Sequence, residues 1–157
     1  MTYVLGIDPG PMVGIVGFDT AVARLAAAEP IVIQCSANVF ADVLSEVILG
    51  RGDLVLAVER FVISPLSARA NAPSAGKVAR DVVAECEHYA EERDLQCFLR
   101  SAAQVKPWAT DARLTAAGLT EATRGMPHAR DGARHALYAA VHDCGLLDPL
   151  SRHGGRS

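Results

Sequence analysis

Apolar runs punctuated by glycine, proline and acids divide the chain into short strands and longer helices. Residues 3–8 and 13–19 are two such runs separated by Pro9-Gly10, and they read as the arms of a β-hairpin. Gly14 and Gly17 leave the second arm open to close approach by another backbone. Residues 31–34 form a third strand, so the sheet starts antiparallel. Phe40, Val43, Leu44, Val47 and Ile48 then recur at helical spacing, and Gly50 and Gly52 end that helix. Residues 54–58 are continuously apolar, as in a strand covered on both faces.

Residues 60–73 read as a surface loop, holding Pro65, Pro73 and two arginines. A long helix follows, with Ser74 as its N-cap and Val78, Val82, Val83, Cys86 and Tyr89 as its apolar stripe to about Arg93. Residues 95–99 make a fifth strand. Residues 104–108 predict a short helix, Thr110 caps a turn through Leu114, and residues 118–125 read as irregular. The last helix runs over residues 127–144, with Pro127 in its first turn, where a missing N–H does no harm. No segment repeats or is of low complexity.

At 157 residues, half of them apolar, the chain is expected to form one domain over residues 1–146, followed by a C-terminal tail of residues 147–157. No apolar run approaches the roughly 20 residues that span a bilayer, and the N-terminus has no signal-peptide pattern, so a soluble, cytoplasmic protein without membrane contact is expected. Cys35, Cys86, Cys97 and Cys144 are widely spaced, which suggests apolar fillers rather than a zinc site or a disulfide framework. The net charge of −3 argues against a nonspecific nucleic-acid coat, yet basic residues group locally: Arg60, Arg69, Lys77 and Arg80 precede an acidic helical stretch, and Arg124, Arg130 and Arg134 form a second group.

Two apolar strands end in an acid, Asp8 and Glu59. An ionised side chain at the end of a buried strand is costly unless it is paired or binds a cation. On the last helix His128, Asp131 and His135 lie at i, i+3 and i+7, an arc of roughly 60° at about 100° per residue. Ala129, Ala133, Ala136, Leu137 and Ala140 lie on another side, where their small size suits packing on the sheet. Acids at two strand ends and on a packed helix suit hard divalent cations such as Mg²⁺ and Mn²⁺. Two such ions about 4 Å apart can activate water and clamp a phosphodiester.

With Gly6-Ile7-Asp8-Pro9-Gly10, Val58-Glu59-Arg60, Val105-Lys106 and His128-Ala129-Arg130-Asp131-Gly132-Ala133 in this order, nearly the whole chain resembles the RuvC-type Holliday-junction resolvases of the RNase H-like superfamily. Its small size and divergent loop resemble the phage-encoded branch. The resemblance implies an α/β fold with a mixed five-stranded sheet flanked by helices. It also implies a divalent-metal-dependent endodeoxyribonuclease that resolves four-way DNA junctions by paired, symmetric hydrolysis. The implied ligands of two Mg²⁺ or Mn²⁺ ions are Asp8, Glu59, His128 and Asp131, with Lys106 near the scissile phosphate. Asp8 would bridge both ions; an imidazole at position 128 implies a preference for Mn²⁺, and His135 is the alternative fourth ligand. Arg60, Arg69, Lys77, Arg80 and Lys106 would hold DNA phosphates, and symmetric cutting implies a homodimer that could pair through the helix from Ser74. A second family lysine has no counterpart beyond Arg113, and Phe61 stands in shifted register where relatives carry an aromatic wedge.

Other readings remain open at this point. The same site on the same fold could cut branched DNA or RNA more broadly. A noncatalytic nucleic-acid-binding module is a further reading, motivated by His128 in place of an acid. A phosphotransferase of the actin and sugar-kinase type shares the Gly-x-Asp-x-Gly strand end, but needs two such domains.

Overall fold

The computed structural model describes residues 2–21, 29–62 and 73–151. The described residues form five strands, β1 (Tyr3–Asp8), β2 (Met12–Asp19), β3 (Ile31–Ser36), β4 (Leu54–Glu59) and β5 (Gln96–Arg100). Their helices are α1 (Phe40–Ile48), α2 (Pro73–Arg93), α3 (Ala102–Val105), α4 (Asp111–Ala116), α5 (Leu119–Ala122) and α6 (Pro127–His142). The sheet order is β3-β2-β1-β4-β5. β1 pairs antiparallel with β2 and parallel with β4, and β5 extends the parallel half. This is the mixed five-stranded sheet the sequence predicts.

Side chains alternate across a strand, so each strand feeds two layers. One face carries Leu5, Ile7, Val13, Ile15, Leu56 and Val58, and it is covered by Phe40, Leu44, Val47 and Ile48 of α1 and by Val82, Cys86, Tyr89 and Ala90 of α2. Burying each of the larger side chains contributes about 1.5–3 kcal/mol. The opposite face carries Val4, Val16, Phe18 and Ala57 beneath Ala129, Ala133, Ala136, Leu137 and Ala140 of α6. Asp8 and Glu59 share the parity of Val4 and Ala57, so both acids belong to the α6 side.

Several boundaries differ from the sequence reading for local reasons. The β2–β3 ladder pairs Met12 with Ser36, so β3 runs two residues past the predicted end. Leu95 closes α2 by donating its N–H to the Ala90 carbonyl, which starts β5 one residue late. α2 begins at Pro73, which puts Ser74 inside the first turn rather than at the cap. Ser101 and Gln104 form a reciprocal capping box, so α3 starts at Ala102 and not at residue 104. Thr110 caps α4 as expected, accepting from the Arg113 N–H. The stretch read as irregular contains α5, entered through Gly118 at φ 76°. α6 stops at His142 because the N–H groups of Asp143 and Cys144 both return to the Ala139 carbonyl.

α6 lies against the sheet at backbone distance. A Cβ at Gly14 would stand 2.0 Å from the His128 carbonyl oxygen, and one at Gly6 would stand 2.0 Å from that of Gly132. Gly132 faces the carbonyls of Gly6 and Gly14 in turn, at 3.1 Å from its own hypothetical Cβ. Gly14→Ala is therefore expected to destabilise by about 3 kcal/mol or more in urea unfolding, since backbone cannot yield as a side chain can. Gly52→Ala, with nothing within 4 Å of the new Cβ, should leave the midpoint within about 0.5 kcal/mol of wild type.

Candidate active site

Asp8 and Glu59 end adjacent parallel strands, one residue beyond the Ile7–Val58 pair of the ladder. The glycine contacts press the start of α6 over that end of the sheet, which brings His128, Asp131 and His135 down onto the two acids. His128 Nδ1 lies 3.1 Å from Asp8 Oδ2. His135 Nε2 lies 3.1 Å from Glu59 Oε2. With each carboxylate ionised and so able only to accept, those ring nitrogens carry the hydrogens. The two histidines differ in setting: the His128 side chain is 47% exposed and that of His135 only 2%. His135 thus holds Glu59 from inside the core, while His128 stands at the mouth.

Asp131 is met by two cations. Lys106 Nζ sits 3.1 Å from its Oδ2 and Arg134 Nε 3.5 Å from its Oδ1. Lys106 arrives from the turn that closes α3, so the residues Asp8, Glu59, Lys106 and Asp131, spread over the whole chain, converge at one end of the sheet. α6 has no side chain capping it from Met126. Gln34 of β3 supplies the missing acceptor: its Oε1 takes the N–H of His128 at 2.9 Å and that of Ala129 at 3.2 Å. Two of the orphan donors at the helix start are satisfied from 94 residues away.

The expected phosphate-binding residues are less uniform. Arg60 is exposed beside Glu59, and its N–H donates to the Arg100 carbonyl at 2.8 Å. Lys77 and Arg80 are exposed on α2, Lys77 paired to Asp81 at 2.6 Å. Arg69 lies outside the described residues. Phe61 is 38% exposed and packs near Gly76 of α2. Arg113, the only basic residue near the position of the absent second lysine, forks onto Asp148 and lies over the Trp108 ring, 4.6 Å from its centroid. Sequence reasoning missed Gln34 and Arg134 at this site. Neither carries a local signal, since a polar strand residue and a helical arginine are ordinary on solvated faces.

No protein-family profile matches the sequence, and no curated protein does. Solved structures do. One of RuvC from Thermus thermophilus in complex with a Holliday junction substrate superposes with a TM-score of 0.67 at 20% identity, over 96% of this chain and 100% of that one. A second Thermus thermophilus RuvC structure gives 0.64 at 17% identity, over 95% and 100%. The chain has the fold of RuvC.

On this RuvC fold Asp8 feels the other two acids. Burial, first, and then the charges of Glu59 and Asp131 push the Asp8 carboxyl from 3.8 up to about 6, against the His128 hydrogen bond. Burial also works against the ionised form of Glu59, but the hydrogen bond and charge of His135, with the charge of Lys106, hold that group below its usual range. Among the described residues no group of three or more His, Cys, Asp or Glu side chains stands close enough together to hold a metal ion. By chemistry alone the carboxylates of Asp8, Glu59 and Asp131 and the exposed imidazole of His128 are ligand types that a divalent cation takes.

The raised Asp8 pKa fixes the sign of a stability effect. The folded state holds that proton more tightly than the unfolded one, so the associated stability is present below about pH 4 and is lost as pH rises through about 6. In metal-free protein at pH 7.5, Asp8→Asn is expected to stabilise by about 2 kcal/mol, seen as a higher melting temperature that converges on wild type near pH 4. Gln34→Ala should destabilise by about 1–2 kcal/mol in urea unfolding, as loss of a helix cap does, with no such pH dependence.

Proposed function

We propose that this chain is a divalent-metal-dependent endonuclease that resolves four-way DNA junctions by paired hydrolysis of phosphodiesters. The observation that carries the reading is the meeting of Asp8, Glu59 and Asp131 at one sheet end, on a fold matched over nearly the whole chain by a protein bound to a Holliday junction. Bound there, two Mg²⁺ or Mn²⁺ ions would activate water and stabilise the leaving oxygen. Asp8 would serve both ions, Glu59 and Asp131 would each hold one, and His128 would complete the shell. His135 keeps Glu59 ionised and oriented by donating from Nε2.

Lys106 supplies positive charge to the phosphate oxygens as charge builds there during attack. Arg60, Arg69, Lys77 and Arg80 hold the backbone of the arms, so affinity falls steeply with salt. Symmetric cuts require two sites related by a two-fold axis, hence a homodimer.

The test is incubation of the protein with labelled four-way junction, linear duplex and RNA:DNA hybrid, in Mg²⁺ and in Mn²⁺. The expected outcome is paired symmetric nicks on the junction alone, lowered by more than about 100-fold in Asp8→Asn and Asp131→Asn. Cutting of every substrate would make the chain a general nuclease, and binding without cutting a recognition module. With His128 as a ligand, Mn²⁺ should support faster cleavage than Mg²⁺, and His128→Asp should narrow the gap.

A further inference from the structure

Lys106 stands on a segment with little structure of its own. α3 is four residues long, too short to be stable alone, and four further residues separate Lys106 from α4. The segment is held from below by Val105 and Ala109, both fully buried. It is held from the side by two guanidiniums on consecutive carbonyls. Arg113 Nη1 donates to the Trp108 oxygen at 2.9 Å, and Arg134 Nη1 donates to the Ala109 oxygen. Of the two, Arg134 is the one that reaches Asp131: its Nη2 lies 2.5 Å from Asp111 Oδ1, and its Nε 3.5 Å from the Asp131 oxygen that Lys106 leaves free.

We propose that Arg134 is a positioning residue for Lys106, joining α6, the carbonyl at position 109 and the first turn of α4 so that the lysine stands over Asp131. The proposal rests on the nuclease reading for its effect on rate, while the clamp itself is a property of the folded chain. The Arg134 side chain is 15% exposed, against 43% for Lys106, as expected for an anchor beside a working group. A planar fork is needed because three acceptors lie in different directions. A lysine at 134 would keep the charge near Asp131 and lose the grip on the Ala109 carbonyl and Asp111.

The chain has only two lysines, Lys77 and Lys106, so lysine labelled with ¹³C at Cε yields two side-chain resonances, and Lys106→Met assigns them. The Lys106 resonance is expected to differ from that of exposed Lys77 in wild type, and to move to the free-lysine position in both Arg134→Met and Arg134→Lys, the third resonance that Arg134→Lys adds being assigned from its double variant with Lys106→Met. Junction cleavage by both variants should show kcat lowered about 10–100-fold, with KM and junction affinity within about twofold of wild type. In a Lys106→Met background, Arg134→Met should cost nothing further, because the two act as one unit.

Retention of the wild-type resonance and kcat by Arg134→Lys would overturn the proposal in favour of charge alone. Multiplying losses in the double variant would overturn it by making Arg134 independent of the lysine. Should Arg134→Met fail to fold, Asp111→Ala removes only the exposed partner; an unmoved Lys106 resonance there would also overturn it. A wild-type protein that cuts nothing would sink the nuclease reading, with the clamp still decided by the spectrum.

Discussion

The backbone contact between α6 and the first hairpin is the constraint on which the rest of the structure depends. Gly6 and Gly14 present bare backbone to the helix, and Gly132 presents bare backbone in return, so helix and sheet approach until carbonyl oxygens fill the space where Cβ atoms would be. Side chains on either surface would hold the two apart. At this short distance a histidine three residues before an aspartate reaches the end of β1, and a second histidine two turns on from the first reaches the end of β4. The same contact explains why the α6 layer is built mostly of alanine while the other layer uses larger side chains such as Phe40, Leu44 and Ile48 of α1 and Val82 and Tyr89 of α2. One side of the sheet is packed for proximity and the other for buried area.

Electrostatics at that sheet end follows from the same geometry. Three carboxylates gather where a divalent cation would neutralise them, and the chain meets each with nitrogen: Asp8 with His128, Glu59 with His135, Asp131 with Lys106 and Arg134. The match is uneven, and the unevenness has chemical content. Asp8 remains the strained member, raised by burial and by its two acidic neighbours, while Glu59 is held ionised by its buried partner. A folded state that tolerates a costly carboxylate in this position trades some stability for a site able to hold charge.

Much of this is legible in the sequence. The five strands, the covering helices and the two strand-ending acids follow from apolar runs of the right length, and the common face of His128, Asp131 and His135 follows from helical spacing. Boundaries moved by one or two residues where a single backbone group decided them, as with Leu95 returning to Ala90. Illegible were the partners reached across long stretches of chain. Gln34 caps α6 because β3 happens to end beside it, and Arg134 grips the segment of Lys106 because α4 folds back along the helix. Spacing alone makes His135 an alternative ligand, and the fold adds what spacing does not show, a buried ring 3.1 Å from Glu59.

The sequence by itself determined the residue types and their local geometry. A strand alternates its side chains with period two and a helix turns by 100° per residue, and those rules alone put Asp8 and Glu59 on one face and the α6 residues on one arc. Tertiary structure decided which nitrogen met which oxygen, and how strongly each group was buried. Those outcomes depend on the separation between layers, which is set by contacts between residues distant in sequence, and electrostatic interactions change steeply with such distances and with the exclusion of water.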